Sequence, residues 1–262
     1  MDVIVVGAGV VGKAFISTFL VNVNCSIVDP THKENAAFCP EYSDIVFFCL
    51  PTPTRSDGAI DISIFQYYLD QLAFISFPGL VILKSTLTPQ YLEKFKTEYP
   101  KLRLVYFPEF IREGEASYDM LNPQFHVLGG ARTDTYDVDQ FTKQHTKIHH
   151  CPVYDTDLVT ASLVKYFINS WLATKVVFMN EFNSLHQNSN SAVAWDEFIT
   201  IVSTDYRVGN SHLDVPGPDG QFGFGGMCFP KDTTALLTYA KESGIELSLI
   251  NQAVEKNKII RK

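Results

Sequence analysis

The sequence predicts an α/β chain: a Rossmann-type, doubly wound parallel sheet followed by an all-helical half built on one long central helix. Two patterns carry this. Through residues 3–128, short β-branched or aromatic runs without polar alternation recur between helical stretches. Such runs read as strands buried on both faces, and strand–helix alternation makes βαβ units. Near Pro152 the character changes, and from there to Pro216 there is no proline and only Gly209 among the glycines.

The runs at 3–6, 26–28, 45–50, 80–83, 104–107 and 126–128 are the expected strands, with helices fitting between them at 11–20, 62–77 and 88–99. In the second half Asp155 or Thr156 offers an N-cap. Leu158, Ala161, Val164, Ile168, Leu172, Val176, Met179, Phe182 and Leu185 then recur at a helical period. That spacing predicts one helix of about 30 residues, roughly 45 Å long, which reads as a spine joining modules. The domain boundary therefore falls near 153, giving 1–153 and 154–262. Two more helices are expected, at 231–243, closed by Gly244, and at 247–261. Phe167, Trp171, Val177 and Phe178 lie off the stripe of the long helix. A helix apolar most of the way round must be covered by something, which predicts a homodimer built on the helical half.

Composition excludes several classes of function. With 21 basic and 29 acidic residues the net charge is −8, which disfavours nucleic acid and anionic membrane as partners. No apolar run approaches the ~20 residues that span a bilayer. The opening Met1-Asp2 leads straight into a strand, not into a signal peptide. Five cysteines, an odd count, read as reduced thiols in a cytoplasm.

Gly7-Ala8-Gly9-Val10-Val11-Gly12 follows a predicted strand and opens a predicted helix. Gly7 permits the tight turn, Gly9 lets backbone amides approach a pyrophosphate, and Gly12 lets helix and strand pack closely. Asp29, at the end of the next strand, suits the ribose hydroxyls and would repel a 2′-phosphate. The cofactor reading is NAD rather than NADP.

The stretch Gly223-Phe224-Gly225-Gly226-Met227-Cys228-Phe229-Pro230-Lys231-Asp232 holds the candidate nucleophile. Pro230 favours a helix start beside Cys228, and a thiol there, with Lys231 close by, gains thiolate character. Cys25, Cys39, Cys49 and Cys151 read instead as inert thiols in or beside core strands. Lys165 and Asn169 share one helix face on an apolar stripe, so they need a buried partner or a ligand, unless the lysine snorkels to solvent. Glu109 and Glu113 lie in the loop after the 104–107 run, and Thr86 ends another strand. Loops after the carboxyl ends of parallel strands carry the chemistry in open α/β sheets, and two carboxylates there could order a water or act as a base. The His149-His150 pair has no third ligand at metal spacing, so no metal is expected.

These stretches together resemble the UDP-glucose/GDP-mannose dehydrogenase family. The shared segments are the Gly7–Gly12 loop, Lys84-Ser85-Thr86-Leu87-Thr88-Pro89, PEFIREGEA from Pro108, KYFINSWLATKVVFMNE from Lys165, and GFGFGGMCFPKD ending at Asp232. The resemblance implies oxidation of a nucleotide sugar's C6 alcohol to a carboxylate with two NAD, UDP-glucose being the first choice. It implies that Cys228 attacks the aldehyde, that Lys165 and Asn169 hold oxyanions, and that Asp232 acts with a water as base. Thr86, Glu109 and Glu113 would position water and substrate. Thr86, Glu113, Lys231 and the glycine loop would touch the cofactor, while Phe110, Ile111, Arg112, Phe224 and Gly225 would touch the substrate. Arg207 would reach the substrate across a dimer. A third, C-terminal domain of the family would lie beyond this chain. Two alternatives remain: a β-hydroxyacid-type dehydrogenase, against which Cys228 argues, and an NAD-binding protein without turnover.

Overall fold

The computed structural model describes residues 1–261. Its first unit, Met1–Lys165, is organised on a seven-stranded sheet in the order β2-β1-β3-β4-β5-β6-β7. The strands are β1 (Asp2–Val6), β2 (Asn24–Val28), β3 (Ile45–Phe48), β4 (Leu80–Leu83), β5 (Arg103–Tyr106), β6 (His126–Gly130) and β7 (Val153–Thr156). Helices α1 (Val10–Ile16), α2 (Ser63–Phe74), α3 (Pro89–Glu98), α4 (Ala116–Leu121) and α5 (Arg132–His145) connect them. The four neighbouring pairs from β2 to β5 are parallel, with Val28, Val6, Phe48, Leu83 and Tyr106 side by side. Five strands therefore end level, and the loops that leave them share one edge. The strands are buried because Ile, Val, Leu and Phe fill both faces; β3 and β4 are buried at every position. Phe15, Phe47 and Phe141 pack ring on ring in one core cluster, with Phe15 and Phe47 centroids 4.8 Å apart.

The sheet is not wholly parallel. β6 runs antiparallel to β5 and β7 parallel to β6. After β5 the chain stays at the carboxyl edge through a loop and the six-residue α4, so β6 starts where β5 ended. β7 replaces the cap expected at Asp155 or Thr156. The cap is Asp157, whose Oδ1 accepts the Thr160 N–H at 2.9 Å.

The long helix forms as α6 (Leu158–Gln187), 30 residues. The two units divide inside it, after Lys165 rather than near 153. Its first turns belong to the sheet unit: a Cβ on Gly129 would sit 2.7 Å from the Ala161 methyl, and Ser162 Oγ donates to the Leu87 carbonyl at 2.7 Å.

From Tyr166 on, the described residues hold the rest of α6, α7 (Trp195–Ser203), α8 (Phe229–Glu242) and α9 (Ser248–Ile260). One core cluster joins Ala173 and Val177 of α6 to Phe224 and to Ala253 of α9; another joins Met179, Trp195 and Leu213. Val177 is thus covered within its own chain, while Phe167, Trp171 and Phe178 are exposed, as is Leu185 of the predicted stripe. Among the described residues no helix is long and apolar enough to cross a membrane.

Candidate functional site

The carboxyl edge of β1 to β5 gathers several predicted residues of the first unit, together with Lys84, which the sequence reading did not single out. The Gly7 loop leaves β1, Asp29 follows β2, Lys84 and Thr86 follow β4, and Glu109 follows β5. Gly7 has φ +96°, and a Cβ there would sit 2.8 Å from the Cys49 carbonyl carbon, so this turn requires glycine. A Cβ on Gly12 would collide with the Gly7 carbonyl, which explains the second glycine. Gly9 is exposed, and a Cβ there would meet nothing within 4 Å. That open space lies where a pyrophosphate must approach the backbone, with Val10 and Val11 beginning α1 beside it. Asp29 is tied to this loop. Its carboxylate accepts the Ala8 N–H at 2.6 Å, the Thr31 N–H at 2.8 Å and the Thr31 hydroxyl at 2.7 Å. The Ala8 bond, then the Thr31 hydroxyl, hold the carboxyl below its usual range. Two carboxylate oxygens offer about four acceptor sites, so capacity remains for a ribose hydroxyl. These features fit a dinucleotide.

The turn after β5 carries a buried ion pair. Lys165 is 3% exposed. Its Nζ donates to the Glu109 carbonyl at 2.6 Å and lies 3.4 Å from Glu109 Oε1. Glu109 Oε2 accepts the Ile111 N–H at 2.9 Å, and the Phe110 ring lies 5.3 Å from Lys165 Nζ. The lysine does not snorkel; it is desolvated against a carboxylate and a carbonyl. Thr86 is buried one turn before α3.

The second unit holds a second polar cluster. Asp232 is 2% exposed and lies in the first turn of α8. It accepts from Asn169 Nδ2 at 2.6 Å and from Lys231 Nζ at 2.5 Å. Cys228 is exposed and is the N-cap residue of α8, its carbonyl accepting the Asp232 N–H at 2.8 Å. Thiol and carboxylate therefore ride on one helical turn.

Several predicted contacts are engaged otherwise. Arg112 pairs with Asp119, Nη2 to Oδ1 at 2.6 Å, and Arg207 with its neighbour Asp205, Nε to Oδ1 at 2.9 Å. Each arginine thus pairs with a carboxylate close to it in sequence. Phe224 is buried in a core cluster, its backbone bracketed by the Asn257 amide at 2.7 and 2.9 Å. Gly225 is closely covered by the Arg261 guanidinium. Ile111 packs against the sheet core, and Glu113 is exposed at the start of a short 3-10 turn. Among the other thiols, burial pushes Cys49 up to about 12, Cys25 up to about 11 and Cys151 upward. Cys39, expected beside the core, is exposed. His149 and His150 are exposed, and among the described residues no three potential ligands are grouped to hold a metal. Among the buried lysines and carboxylates, Asp134 and Lys84 escaped the sequence reading; Asp134 pairs with Arg103, and for Lys84 the run of hydrophobic neighbours was the available signal.

Residues 22–148 match the model of the UDP-glucose/GDP-mannose dehydrogenase family, NAD binding domain, and residues 159–259 match that family's central domain. The UDP-glucose 6-dehydrogenase of Rickettsia bellii (strain RML369-C) is 31% identical over 221 residues, 82% of this chain and 49% of that protein. UDP-glucose 6-dehydrogenase TuaD of Bacillus subtilis (strain 168) is 30% identical over 223 residues, 82% of this chain and 46% of that one. The chain spans about half the length of these curated relatives. A UDP-glucose dehydrogenase structure from the archaeon Pyrobaculum islandicum superposes with TM-score 0.80 at 24% identity, covering 98% of this chain and 68% of that one. A 3-hydroxyisobutyrate dehydrogenase from Mycobacterium tuberculosis superposes with TM-score 0.75 at 16% identity, covering 98% and 93%. Both are likenesses of fold alone.

Proposed function

The chain belongs to the UDP-glucose/GDP-mannose dehydrogenase family, and from that premise we propose that it oxidises the C6 alcohol of a nucleotide sugar to the carboxylate, UDP-glucose being the first candidate. The observation that carries this reading is the first turn of α8. It couples an exposed thiol, Cys228, to a buried carboxylate, Asp232, that is already hydrogen-bonded to Asn169. A β-hydroxyacid-type dehydrogenase needs no thiol there.

NAD, when bound, supplies the acceptor for the hydride in each of two oxidations. In the first, Asp232 with an ordered water removes the C6 hydroxyl proton, and Lys165 with Asn169 stabilises the developing alkoxide. Cys228 Sγ then adds to the aldehyde carbon, forming a C–S bond and a tetrahedral thiohemiacetal whose oxygen the same donors hold. Its oxidation leaves a thioester on Cys228. Water, positioned by Glu109 and Thr86, adds to the acyl carbon, breaks the C–S bond and releases the carboxylate with return of the thiol. The assay is NADH formation against UDP-sugars, GDP-sugars and unactivated sugars. Two NADH per UDP-glucose supports the proposal, and no NADH from any nucleotide sugar overturns it in favour of a binding protein.

We read the cofactor preference from Asp29. A 2′-phosphate would be brought against a carboxylate that stays charged below the usual range. NAD should bind at least about tenfold tighter than NADP, even allowing for solvent screening. Asp29→Asn, which keeps an acceptor for the Ala8 N–H, should narrow that gap in calorimetric titrations. Equal affinities for the wild-type chain would refute the assignment. The exposed Phe167, Trp171 and Phe178 support a homodimer built on the helical unit, in the cytoplasm where its thiols stay reduced. Light scattering at micromolar concentration should give twice the 29.5 kDa chain mass.

A further inference from the structure

Lys84 has no part in the mechanism above. It follows β4 directly and is 2% exposed. Its Nζ donates to the Phe107 carbonyl at 3.3 Å and lies 3.6 Å from the Phe107 ring centroid and 4.7 Å from that of Phe15. The partners are a carbonyl and two aromatic faces. An ammonium buried in such company costs stability that an aliphatic side chain of the same length would not. Packing therefore does not account for it.

Its contact does. The Phe107 carbonyl begins the turn by which the chain leaves β5. Two residues on, the Glu109 carbonyl accepts from Lys165 Nζ at 2.6 Å. Pro108, between them, has no N–H to donate. Two lysines, one from the end of β4 and one from α6, thus hold alternate carbonyls of a single turn. We propose that Lys84 is a positioning residue: by fixing the Phe107 carbonyl it sets the Pro108–Glu109 turn, and through Glu109 the place of Lys165. The consequence for catalysis rests on the reading of Lys165 as an oxyanion partner.

The electrostatics agree. Burial lowers Lys84 to about 8, opposed by Cys49 after β3 and Glu109 after β5 and assisted by Lys165 on α6. Burial first, and Lys84 second, push His126 on β6 down to about 4, so that imidazole is neutral near pH 8 and Lys84 is the group that changes charge there. A neutral amine is a weaker donor to the Phe107 carbonyl, so the turn should loosen as pH rises through about 8.

The test compares wild type with Lys84→Met for NADH formation from UDP-glucose across the alkaline range. Lys84→Met should lower kcat about 100-fold. It should leave KM for the sugar and Kd for NAD within about threefold, with Tm unchanged or raised. The loss of rate near pH 8 in wild type should be missing in the variant. A kcat within about threefold of wild type overturns the inference, as does a rate loss matched by falling Tm and lost NAD binding. If Lys84→Met does not fold, Lys84→Leu, which likewise has no donor for the Phe107 carbonyl, takes its place with the same criteria. If wild type oxidises no nucleotide sugar, the proposed activity fails separately. The inference is then read by NMR of lysine labelled with carbon-13 at Cε. The Lys165 signal, identified by its loss in Lys165→Met, should move to the position of exposed lysines in Lys84→Met. An unmoved signal overturns it.

Discussion

Cys228→Ala should end carboxylate formation and yield at most one NADH per UDP-glucose, where the proposed mechanism gives the wild-type chain two. An aldehyde carbon releases no hydride until a nucleophile makes it tetrahedral, and the variant lacks that nucleophile. The alcohol-to-aldehyde step needs a base and an oxyanion clamp, roles proposed for Asp232, Asn169 and Lys165, none of which involves sulfur. NAD affinity should be unchanged, since the glycine loop and Asp29 lie in the other unit. Alkylation gives an independent check. Burial pushes Cys25, Cys49 and Cys151 up, so they react slowly at neutral pH. Iodoacetamide should therefore modify the two exposed thiols, Cys39 and Cys228, and bound NAD with substrate should protect Cys228 alone. Acid formed at the wild-type rate by Cys228→Ala would end the covalent mechanism.

What the sequence made legible, and what it did not, follows from how many forces each element answers to. β1, β3 and β4 are buried on both faces, so hydrophobicity alone announces them. β7 is an edge strand with exposed Tyr154 and Asp155, and its polar residues Asp155 and Thr156 read instead as a helix cap. β6 continues through Gly129 and Gly130, two residues past the apolar run expected at 126–128. The structure needs small residues there because the start of α6 passes over Gly129. The period of α6 was plain, but its cover was not: Val177 is buried by Phe224 and Ala253, contacts far apart in sequence. Motif and spacing single out Lys165, Asn169 and Cys228 as candidates, and the family resemblance adds Asp232. They could not show that Arg112 and Arg207 each find a carboxylate within a few residues, since local ion pairing depends on loop geometry. Lys84 stood in plain view in a shared motif, yet only burial distinguishes it from a surface lysine.

Asp232→Asn should stop the reaction earlier, before the first NADH, with kcat reduced about 10²- to 10⁴-fold. The carboxylate is 2% exposed and takes hydrogen bonds from the Asn169 amide and the Lys231 ammonium at 2.6 and 2.5 Å. An asparagine fills the same volume and still offers one acceptor, so the fold should lose no more than about 1–2 kcal/mol. Asp232→Ala is the harsher change. It leaves the Asn169 amide and a partly buried ammonium without their acceptor, and should cost about 3 kcal/mol in denaturant melts. The two substitutions therefore separate chemistry from structure: both lack the proposed base, but only alanine should melt early. Compared with Cys228→Ala in single turnover, they also order the steps. The thiol variant should show a burst of one NADH with aldehyde retained on the enzyme, and the carboxamide variant no burst. A full first-NADH burst at the wild-type rate in Asp232→Asn would remove Asp232 as the base and leave Lys165 as the group to test in that role.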